Sequence, residues 1–312
     1  MTNAIETFDL TKKYRKVAAL KELNLTVPKG AVCGFLGPNG AGKTTTMRLL
    51  MGLSRPSSGS ANILGSAVDG NTLDLRSRVG YLSQAPSFYP RFRIRQVLRF
   101  VADRYLNGSR KDLDARVDEV LAMVGLEERG DRRVKALSGG ERQRLGIGQA
   151  VIGRPDLLIL DEPSVGLDPE GRLQVLNLIN ELREQMTIFY SSHILDDVQR
   201  IADHVVMLND GEIIDQGPME QFFGSGATYR VALDGRSTEA SLGFLNDRPW
   251  VEKVSSVGAG KWDVVATDPD AAEQELFSLV AQRGDLDLVE LRPLVRSLED
   301  IYLDVVEVGN DG

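Results

Sequence analysis

The sequence predicts an α/β fold with a mostly parallel central sheet, followed by a smaller α+β domain. Strand-like and helix-like segments alternate along most of the chain, and the apolar run Leu157 to Leu160 is typical of a strand buried on both faces. The composition changes at Gly224-Ser225-Gly226: residues 226–312 contain 17 acidic and 8 basic side chains, whereas the remainder contains 28 and 29. We therefore predict a first domain over residues 1–225 and an acidic accessory domain over residues 226–312.

The elements of the first domain follow from the periodicity of its apolar residues. Three β-rich segments lead through a glycine-rich loop into a helix, and a helical subdomain is expected at about residues 85–150. The turn Asn209-Asp210-Gly211 is typical of a hairpin between the last two strands. The predicted strands are Ile5–Asp9, Leu23–Val27, Ala31–Leu36, Val79–Ser83, Leu157–Leu160, Thr187–Ser191, Val205–Leu208 and Glu212–Asp215, and the predicted helices are Lys43–Leu53, Ile94–Leu106, Leu113–Val124, Gly171–Glu184 and Asp196–Ile201.

The second domain is predicted to have the element order βαββαβ, which suggests a small ferredoxin-like domain. Its predicted elements are strand Tyr229–Leu233, helix Ser241–Leu245, strands Val251–Val257 and Trp262–Thr267, helix Ala271–Arg283, strand Leu286–Leu291 and helix Leu298–Val306. Two roles remain open for it, stabilisation of a dimer or regulation. We favour the first because such units readily pair and no ligand motif is present.

Composition excludes several classes of protein. With 312 residues, of which 42% are hydrophobic, the chain can bury a large core in one to three domains. The net charge of −8 is concentrated in the tail, and the near-neutral front has no general basic stripe, so we expect no nucleic-acid partner. No apolar run approaches the roughly 20 residues that span a bilayer, and the N-terminus lacks the pattern of a secretory signal. The single cysteine, Cys33, excludes an intrachain disulfide, fits a reducing cytoplasm and is predicted to be a buried, inert thiol.

A glycine-rich loop follows the third β-rich segment. Gly37-Pro38-Asn39-Gly40-Ala41-Gly42-Lys43-Thr44 matches the pattern G-x-x-x-x-G-K-[ST] between a predicted strand and a predicted helix. Its glycines let backbone N–H groups converge on phosphate oxygens, and the helix N-terminus adds its positive dipole end. We expect Lys43 to reach the β- and γ-phosphates and the Thr44 hydroxyl to bind Mg²⁺.

Two carboxylates follow the apolar run that ends at Leu160. Asp161 is expected at the C-terminal end of a buried strand, beside the phosphate loop, where it can hold Mg²⁺ through water. Glu162 is then positioned to polarise an attacking water, as phosphoryl transfer requires. The alternative is that these two acids simply end a strand at the surface. The phosphate loop elsewhere in the sequence makes this alternative less favoured.

The segment Leu137-Ser138-Gly139-Gly140-Glu141 precedes these acids by about twenty residues. Ser138 can cap a helix, and Glu141 lies at the N3 position, which completes an S-x-x-E capping box. Backbone N–H groups at Gly139 and Gly140 could then face an anion. Taken alone, the segment is better explained as a well-capped helix, but its spacing to Asp161 and Glu162 favours a functional role.

Together these motifs resemble the ATP-binding-cassette (ABC) ATPases from about Ile5 to Gly217. The resemblance implies that Ser138, Gly139 and Gly140 contact the γ-phosphate of ATP held by an opposite subunit. It assigns adenine stacking to Tyr14, which could otherwise be an ordinary strand aromatic. It also assigns Mg²⁺ sensing to Gln84, an interface loop to Asp168, and a γ-phosphate switch to His193.

The resemblance, added to the motifs, defines a full set of site residues. The expected cofactors are ATP and Mg²⁺. The expected ATP-binding residues are Tyr14, Gly37, Pro38, Asn39, Gly40, Ala41, Gly42, Lys43, Thr44, Thr45, Ser138, Gly139, Gly140 and Asp168, the catalytic residues are Glu162, His193, Lys43 and Gln84, and the metal ligands are Thr44, Gln84 and Asp161.

The resemblance also implies partners. A chain with one cassette needs a second ATPase subunit, most simply a second copy of itself, and separately encoded transmembrane permease subunits. Segments such as Pro86-Ser87-Phe88-Tyr89-Pro90 and Ser297 to Leu303 resemble the subfamily that serves drug, antibiotic and polysaccharide exporters. We therefore expect a peripheral ATPase on the cytoplasmic face of the membrane that drives export through ATP-dependent dimer closure. A soluble assembly or translation factor and a regulatory nucleotide-binding module remain as alternatives.

One departure from the subfamily is the basic run formed by Arg91, Arg93, Arg95 and Arg99. It could be a solvated helix face. It could also be a dock for an acidic coupling helix or for lipid headgroups.

Overall fold

A computed structural model describes residues 2–69, 73–223, 227–234, 242–258, 260–283, 286–294 and 297–303. These residues form two compact units, one that extends to Met219 and one that begins at Glu220. The predicted joint at residues 224–226 lies outside the described residues, as do Ser241 and residues 304–306 of two predicted tail helices.

The first unit contains strands and helices in alternation. In chain order they are β1 (Asn3–Tyr14), β2 (Val17–Leu23), β3 (Thr26–Pro28), β4 (Val32–Leu36), α1 (Lys43–Leu50), β5 (Ser58–Ile63), β6 (Ser66–Ala67), α2 (Leu73–Ser77), β7 (Val79–Leu82), α3 (Ile94–Tyr105), α4 (Arg110–Met123), α5 (Gly139–Val151), β8 (Leu157–Leu160), α6 (Pro169–Leu182), β9 (Thr187–Ser192), α7 (Leu195–Ile201), β10 (His204–Asn209) and β11 (Glu212–Pro218), and α8 (Met219–Phe223) spans the boundary.

The predicted, mostly parallel sheet is confirmed. Its strand order is β11-β10-β4-β9-β8-β7, and every neighbouring pair is parallel except the hairpin β10–β11. A second, antiparallel sheet has the order β2-β1-β5-β6, with β3 also paired to β1. One hydrophobic core joins the two sheets and α1 through residues such as Ile5, Phe35, Met47 and Ile159.

Strand β4 separates that core from helix α7. Cys33 and Phe35 belong to the core shared with the antiparallel sheet, whereas a Cβ on Gly34 would approach Val198 of α7 to 2.3 Å. Because successive side chains of a strand point to opposite faces, α7 lies on the other face of the sheet. Cys33 is buried, as predicted, and burial raises the pKa of its thiol.

The predicted strand Leu23–Val27 is wrong, because β2 ends at Leu23 and β3 begins at Thr26, which leaves Asn24 and Leu25 outside both strands. The Thr7 hydroxyl donates to the Leu23 carbonyl (2.6 Å) and accepts from the Leu25 N–H (2.7 Å). A buried side chain on β1 therefore takes over backbone hydrogen bonds that a continuous strand would have made.

Helices α3, α4 and α5 lie within the stretch predicted as a helical subdomain. Arg116 of α4 is buried, and its guanidinium donates to the carbonyls of Val151 (2.7 Å) and Ile152 (3.1 Å). Those carbonyls are at the C-terminal end of α5, where a cation is favourable. Arg116 therefore holds α4 against the end of α5.

The second unit contains a four-stranded antiparallel sheet. Its elements are β12 (Ala227–Leu233), a 3₁₀ turn (Gly243–Asp247), β13 (Val251–Gly258), β14 (Lys261–Ala266), α9 (Pro269–Ala281), β15 (Leu288–Leu294) and helical residues 298–303. The strand order is β13-β14-β12-β15, and Trp262, Leu276 and Val280 are part of its core. Within the described residues, the predicted helix at Ser241–Leu245 is only this 3₁₀ turn.

Candidate active site

The glycine-rich loop joins the end of β4 to the start of α1. Gly40 and Gly42 have φ angles of 88° and 115°, and a Cβ on Gly42 would lie 2.7 Å from the Ala19 carbonyl oxygen. A Cβ on Gly37 would lie 2.4 Å from the Leu208 carbonyl oxygen. At Gly42 both the left-handed backbone and the close approach require glycine, whereas Gly40 meets only the first condition and Gly37 only the second.

Lys43 is enclosed by this loop. Its side chain is only 5% exposed, and Nζ donates to the carbonyl oxygens of Gly37 (2.5 Å) and Pro38 (3.2 Å). Nζ also lies 3.0 Å from Glu162 Oε1. The loop thus holds a buried cation at the N-terminus of a helix, which is a favourable environment for a phosphate group.

Asp161 lies next to the loop at the end of β8, as the sequence predicts. Its Oδ1 accepts hydrogen bonds from Thr44 Oγ1 (3.1 Å) and Ser191 Oγ (3.0 Å). No described residue donates to Oδ2, although this atom is buried. Burial raises the pKa of Asp161 and the charge of Glu162 adds to the rise, while the two hydrogen bonds and Lys43 oppose it.

Glu162 and His193 form a hydrogen-bonded pair. His193 Nδ1 lies 2.9 Å from Glu162 Oε2, and the Glu162 N–H donates to Ser191 Oγ (2.9 Å). Glu162 has a φ angle of 50°, a left-handed conformation that costs energy in a non-glycine residue. The strained backbone places the Glu162 carboxylate between Lys43 and His193.

Most of the predicted phosphate-side residues line one cavity of about 390 Å³. Gln84 is among them and so lies with Lys43 and Glu162, far from both in sequence. Tyr14 is not among the lining residues: its side chain is 47% exposed, and Lys12 Nζ lies 4.9 Å from its ring centre. The cavity is lined by Ala19, Pro38, Asn39, Gly40, Gly42, Lys43, Thr44, Thr45, Gln84 and Glu162.

The predicted signature residues line a different cavity, of about 510 Å³. Ser138 caps α5: its hydroxyl accepts from the Glu141 N–H (3.2 Å), and the Glu141 carboxylate accepts from the Ser138 N–H (2.8 Å). Gly139, Gly140 and Asp168 line the same cavity. The capping box is confirmed, and it leaves the first backbone N–H groups of α5 facing this cavity.

Asp168 caps the next helix of that cavity. Its Oδ1 accepts from the Gly171 N–H at 2.9 Å, and Pro169 occupies the first position of α6. The signature cavity and the phosphate-loop cavity share no lining residue. Most of the residues predicted to contact ATP therefore lie in two separate cavities of one chain.

Three further residues of these sites are not apparent from sequence motifs. Ser191 contacts both Asp161 and the Glu162 backbone, Arg129 forms an ion pair with Glu141 in the signature cavity, and Asp197 joins the loop after β8 to α6. The only sequence signal for Ser191 is its place at the end of an apolar strand. Neither Arg129 nor Asp197 belongs to a recognisable motif.

The fold and the glycine-rich loop between β4 and α1 define a nucleoside triphosphatase with a phosphate-binding loop. A family model described as "ABC transporter" matches residues 20–165. An uncharacterised ABC transporter ATP-binding protein of Bacillus subtilis, YxlF, is 37% identical over 298 residues, which cover 95% of this chain and 97% of that protein. The chain belongs to the ABC transporter family, as an ATP-binding subunit that hydrolyses ATP.

Other relatives have more specific names. The bacitracin transport ATP-binding protein BcrA of Bacillus licheniformis is 40% identical, with 70% of this chain and 71% of that protein covered. The Nod factor export ATP-binding protein I of Cupriavidus metallidurans is 35% identical, with 72% and 74% covered. Among solved structures, cbiO1 of Clostridium perfringens, part of the ABC transporter complex cbiONQ, has a TM-score of 0.65 and 29% identity over 70% of this chain and 89% of that one. In the part of this chain that the structure describes, no helix is both long and apolar enough to cross a bilayer.

Proposed function

We propose that this ATPase works as a face-to-face dimer that powers a membrane exporter. Each ATP would lie between the phosphate-loop cavity of one chain and the signature cavity of the other. The observation that carries this proposal is the separation of the two cavities, each of which holds part of the groups that a triphosphate needs. Each cavity would then be a half-site, and pairing two copies about a twofold axis would complete two equivalent sites.

The phosphate-side residues fit a bound Mg²⁺. Asp161 Oδ2 is buried with no donor among the described residues, and the Thr44 hydroxyl donates a hydrogen bond to the other carboxylate oxygen, Oδ1. These oxygens, with the Gln84 amide, are the hard ligands that Mg²⁺ prefers. When bound, the ion would neutralise charge that develops on the β- and γ-phosphate oxygens.

The remaining roles belong to side chains of the chain itself. Lys43 would bind the terminal phosphates as a point charge, and Glu162 would orient and polarise the attacking water. His193, hydrogen-bonded to Glu162, would hold the Glu162 carboxylate and reach the γ-phosphate. The Ser138 helix start would donate N–H groups to the same phosphate from the opposite chain.

Mixing two inactive variants should restore ATP turnover if each site is shared between chains. Lys43→Met disables the phosphate loop, and Gly139→Asp places a negative charge in the signature cavity, where a Cβ has room, 3.6 Å from Leu167. In a mixed dimer, one of the two sites combines both intact halves. Random pairing makes about half of the dimers mixed, so an equal mixture should reach about a quarter of wild-type turnover. Steady-state ATPase assays of each variant alone and of the mixture measure this.

The Gly139→Asp chain serves as its own binding control, because its phosphate loop is intact and it should still bind a fluorescent ATP analogue. A mixture that stays as inactive as its components would contradict the dimer proposal. Full activity of Gly139→Asp alone would contradict a role for the signature cavity.

A groove beside the helical subdomain supports a membrane partner. A cavity of about 350 Å³ lies between the core and α3, and its lining includes Tyr81, Phe100, Arg104 and Tyr105. Phe100 is 61% exposed there, so its ring is accessible to a partner segment. We propose that this groove holds a cytoplasmic segment of a permease, which would place the ATPase on the cytoplasmic face of the membrane. The export and transport functions in the relatives' names support an exporter.

The ion pairs of the arginine run argue against a basic dock, and so they favour this groove as the contact with the membrane partner. Only Arg91 of the four has no ion pair with another described residue. The other three form ion pairs with acidic residues. Arg93, directly before α3, pairs with Asp131 (3.5 Å). Within α3, Arg95 pairs with Asp118 and Arg99 with Asp114 (2.6 Å).

Phe100→Asp should remove most of the membrane protein that copurifies with the chain, because a charge would be buried under the docked segment. Phe277→Asp is the matched control, since Phe277 is 60% exposed but lies on α9 of the second unit. Detergent extracts should be compared by affinity purification and mass spectrometry. Equal recovery of the membrane partner with both variants would contradict the docking proposal, and no membrane partner even with wild type would favour a soluble ABC ATPase.

We infer that the second unit is a ferredoxin-like accessory domain. Its sheet order, with β12 and β14 in the centre and β13 and β15 at the edges, supports this fold. An experimental structure of residues 226–312 with a different strand order would contradict it.

A further inference from the structure

Asp197 is a buried carboxylate that no ATP-site motif includes. It is the third residue of α7 and only 1% exposed. Its Oδ2 accepts from Ser164 Oγ at 2.6 Å, and its Oδ1 accepts from Arg172 Nε at 2.6 Å. A carboxylate is retained in such a place only when charged and polar partners compensate for its lost hydration.

The partners of Asp197 belong to separate functional segments. Ser164 follows Glu162 by two residues, on the loop after the catalytic strand. Arg172 lies in the first turn of α6, where its N–H donates to the carbonyl of Asp168, the cap residue in the signature cavity. Asp197 thus links the Glu162 loop after β8 to α6, the helix that Asp168 caps.

The helix of Asp197 also positions the switch histidine. One residue, Ile194, separates His193 from the start of α7. The Ile194 N–H donates to Ser192 Oγ (2.9 Å) to form a tight turn. The neighbour of Asp197, Val198, packs on β4 so closely that a Cβ on Gly34 would clash with it. Movement of α7 would therefore displace His193 relative to Glu162, from which it is now 2.9 Å away.

We propose that Asp197 is a positioning residue that couples the Asp168 loop of one half-site to the Glu162–His193 pair of the other. The proposal rests on the dimeric ATPase function argued above and specifies how one chain joins its two half-sites. Arg172 and Ser164 are the two ends of the connection. Engagement of the signature cavity by a second subunit is transmitted through Arg172 and Asp197 to the catalytic pair.

The test uses the full chain with Asp197→Asn, which keeps the shape and loses the charge, and with Arg172→Ala. We expect kcat for ATP to fall about 10- to 100-fold in both, because small misplacements of catalytic groups have effects of this size. The Kd of a fluorescent ATP analogue should stay within about twofold of wild type, since the phosphate loop is untouched. The double variant should be no slower than the slower single variant, because both changes break one connection.

The matched control is Asp196→Asn, the same change at the preceding, exposed residue of α7, which should retain wild-type kcat. Arg172→Lys should recover part of the activity lost in Arg172→Ala. If a single variant fails to fold, the double variant Asp197→Asn/Arg172→Ala decides the matter, because it leaves no uncompensated charge at the buried Asp197 position.

Three results would overturn the proposal: kcat within about twofold of wild type in both variants, a loss confined to nucleotide affinity, or fully additive losses in the double variant. Failure of the proposed function looks different. In that case an equal mixture of Lys43→Met and Gly139→Asp stays as inactive as its components, or Glu162→Gln hydrolyses ATP as fast as wild type.

Discussion

Replacing Glu162 with Gln should reduce ATP turnover by at least about 100-fold, the lower range for loss of a general base. Gln keeps the size of the side chain and its left-handed backbone, but it cannot accept a proton from the attacking water. Nucleotide binding should persist, because Lys43 and the loop glycines are unchanged. The variant should therefore accumulate as an ATP-bound dimer, visible as an ATP-dependent shift in size-exclusion chromatography, while phosphate release nearly stops.

The matched control is Glu181→Gln, the same change at an exposed position of α6, which should keep wild-type turnover. Turnover by Glu162→Gln at the wild-type rate would remove Glu162 from the catalytic role. An inactive variant that remains monomeric with ATP would instead separate hydrolysis from dimer closure.

The phosphate-side residues could be predicted because each motif is contiguous in sequence. A glycine loop followed by Lys43 and Thr44 carries its own geometry, and Asp161 follows from a four-residue apolar strand. Ser191 could not be predicted in the same way. It meets Asp161 only because β8 and β9 are parallel neighbours in the register that pairs Leu160 with Tyr190, and no local pattern specifies that register.

The same reason limits prediction of Asp197 and of the break after β2. Asp197 is acidic and near a helix start, which is typical of a surface residue, yet it is buried against Ser164 and Arg172, which are distant in sequence. The break at Asn24 depends on a hydroxyl from another strand, Thr7, which competes with the ladder. Local propensity describes the parts of this chain where contacts are local, and it fails where a distant polar side chain sets the conformation.

Lys43→Met should abolish tight ATP binding and also destabilise the nucleotide-free protein by about 3–5 kcal/mol, the usual cost of breaking a buried ion pair from one side. Lys43 and Glu162 are 5% and 6% exposed and 3.0 Å apart, so the variant leaves a buried carboxylate with only His193 beside it. Urea unfolding without nucleotide measures the change. Arg78→Ala is the control, because its pair with Asp156 is about half exposed and should contribute at most about 1 kcal/mol.

The double variant Lys43→Met/Glu162→Gln separates the electrostatic cause from a packing defect. With both charges removed, neither member of the Lys43–Glu162 pair leaves an unpaired charge behind, so most of the stability lost in Lys43→Met should return. ATP binding should not return, because the cation that meets the phosphates is still missing. Additive destabilisation would show instead that Lys43 acts on stability through packing of the glycine loop. Non-additive recovery of stability without recovery of binding would show two things. Lys43 and Glu162 each compensate for the cost of burying the other, and ATP binding requires Lys43 itself.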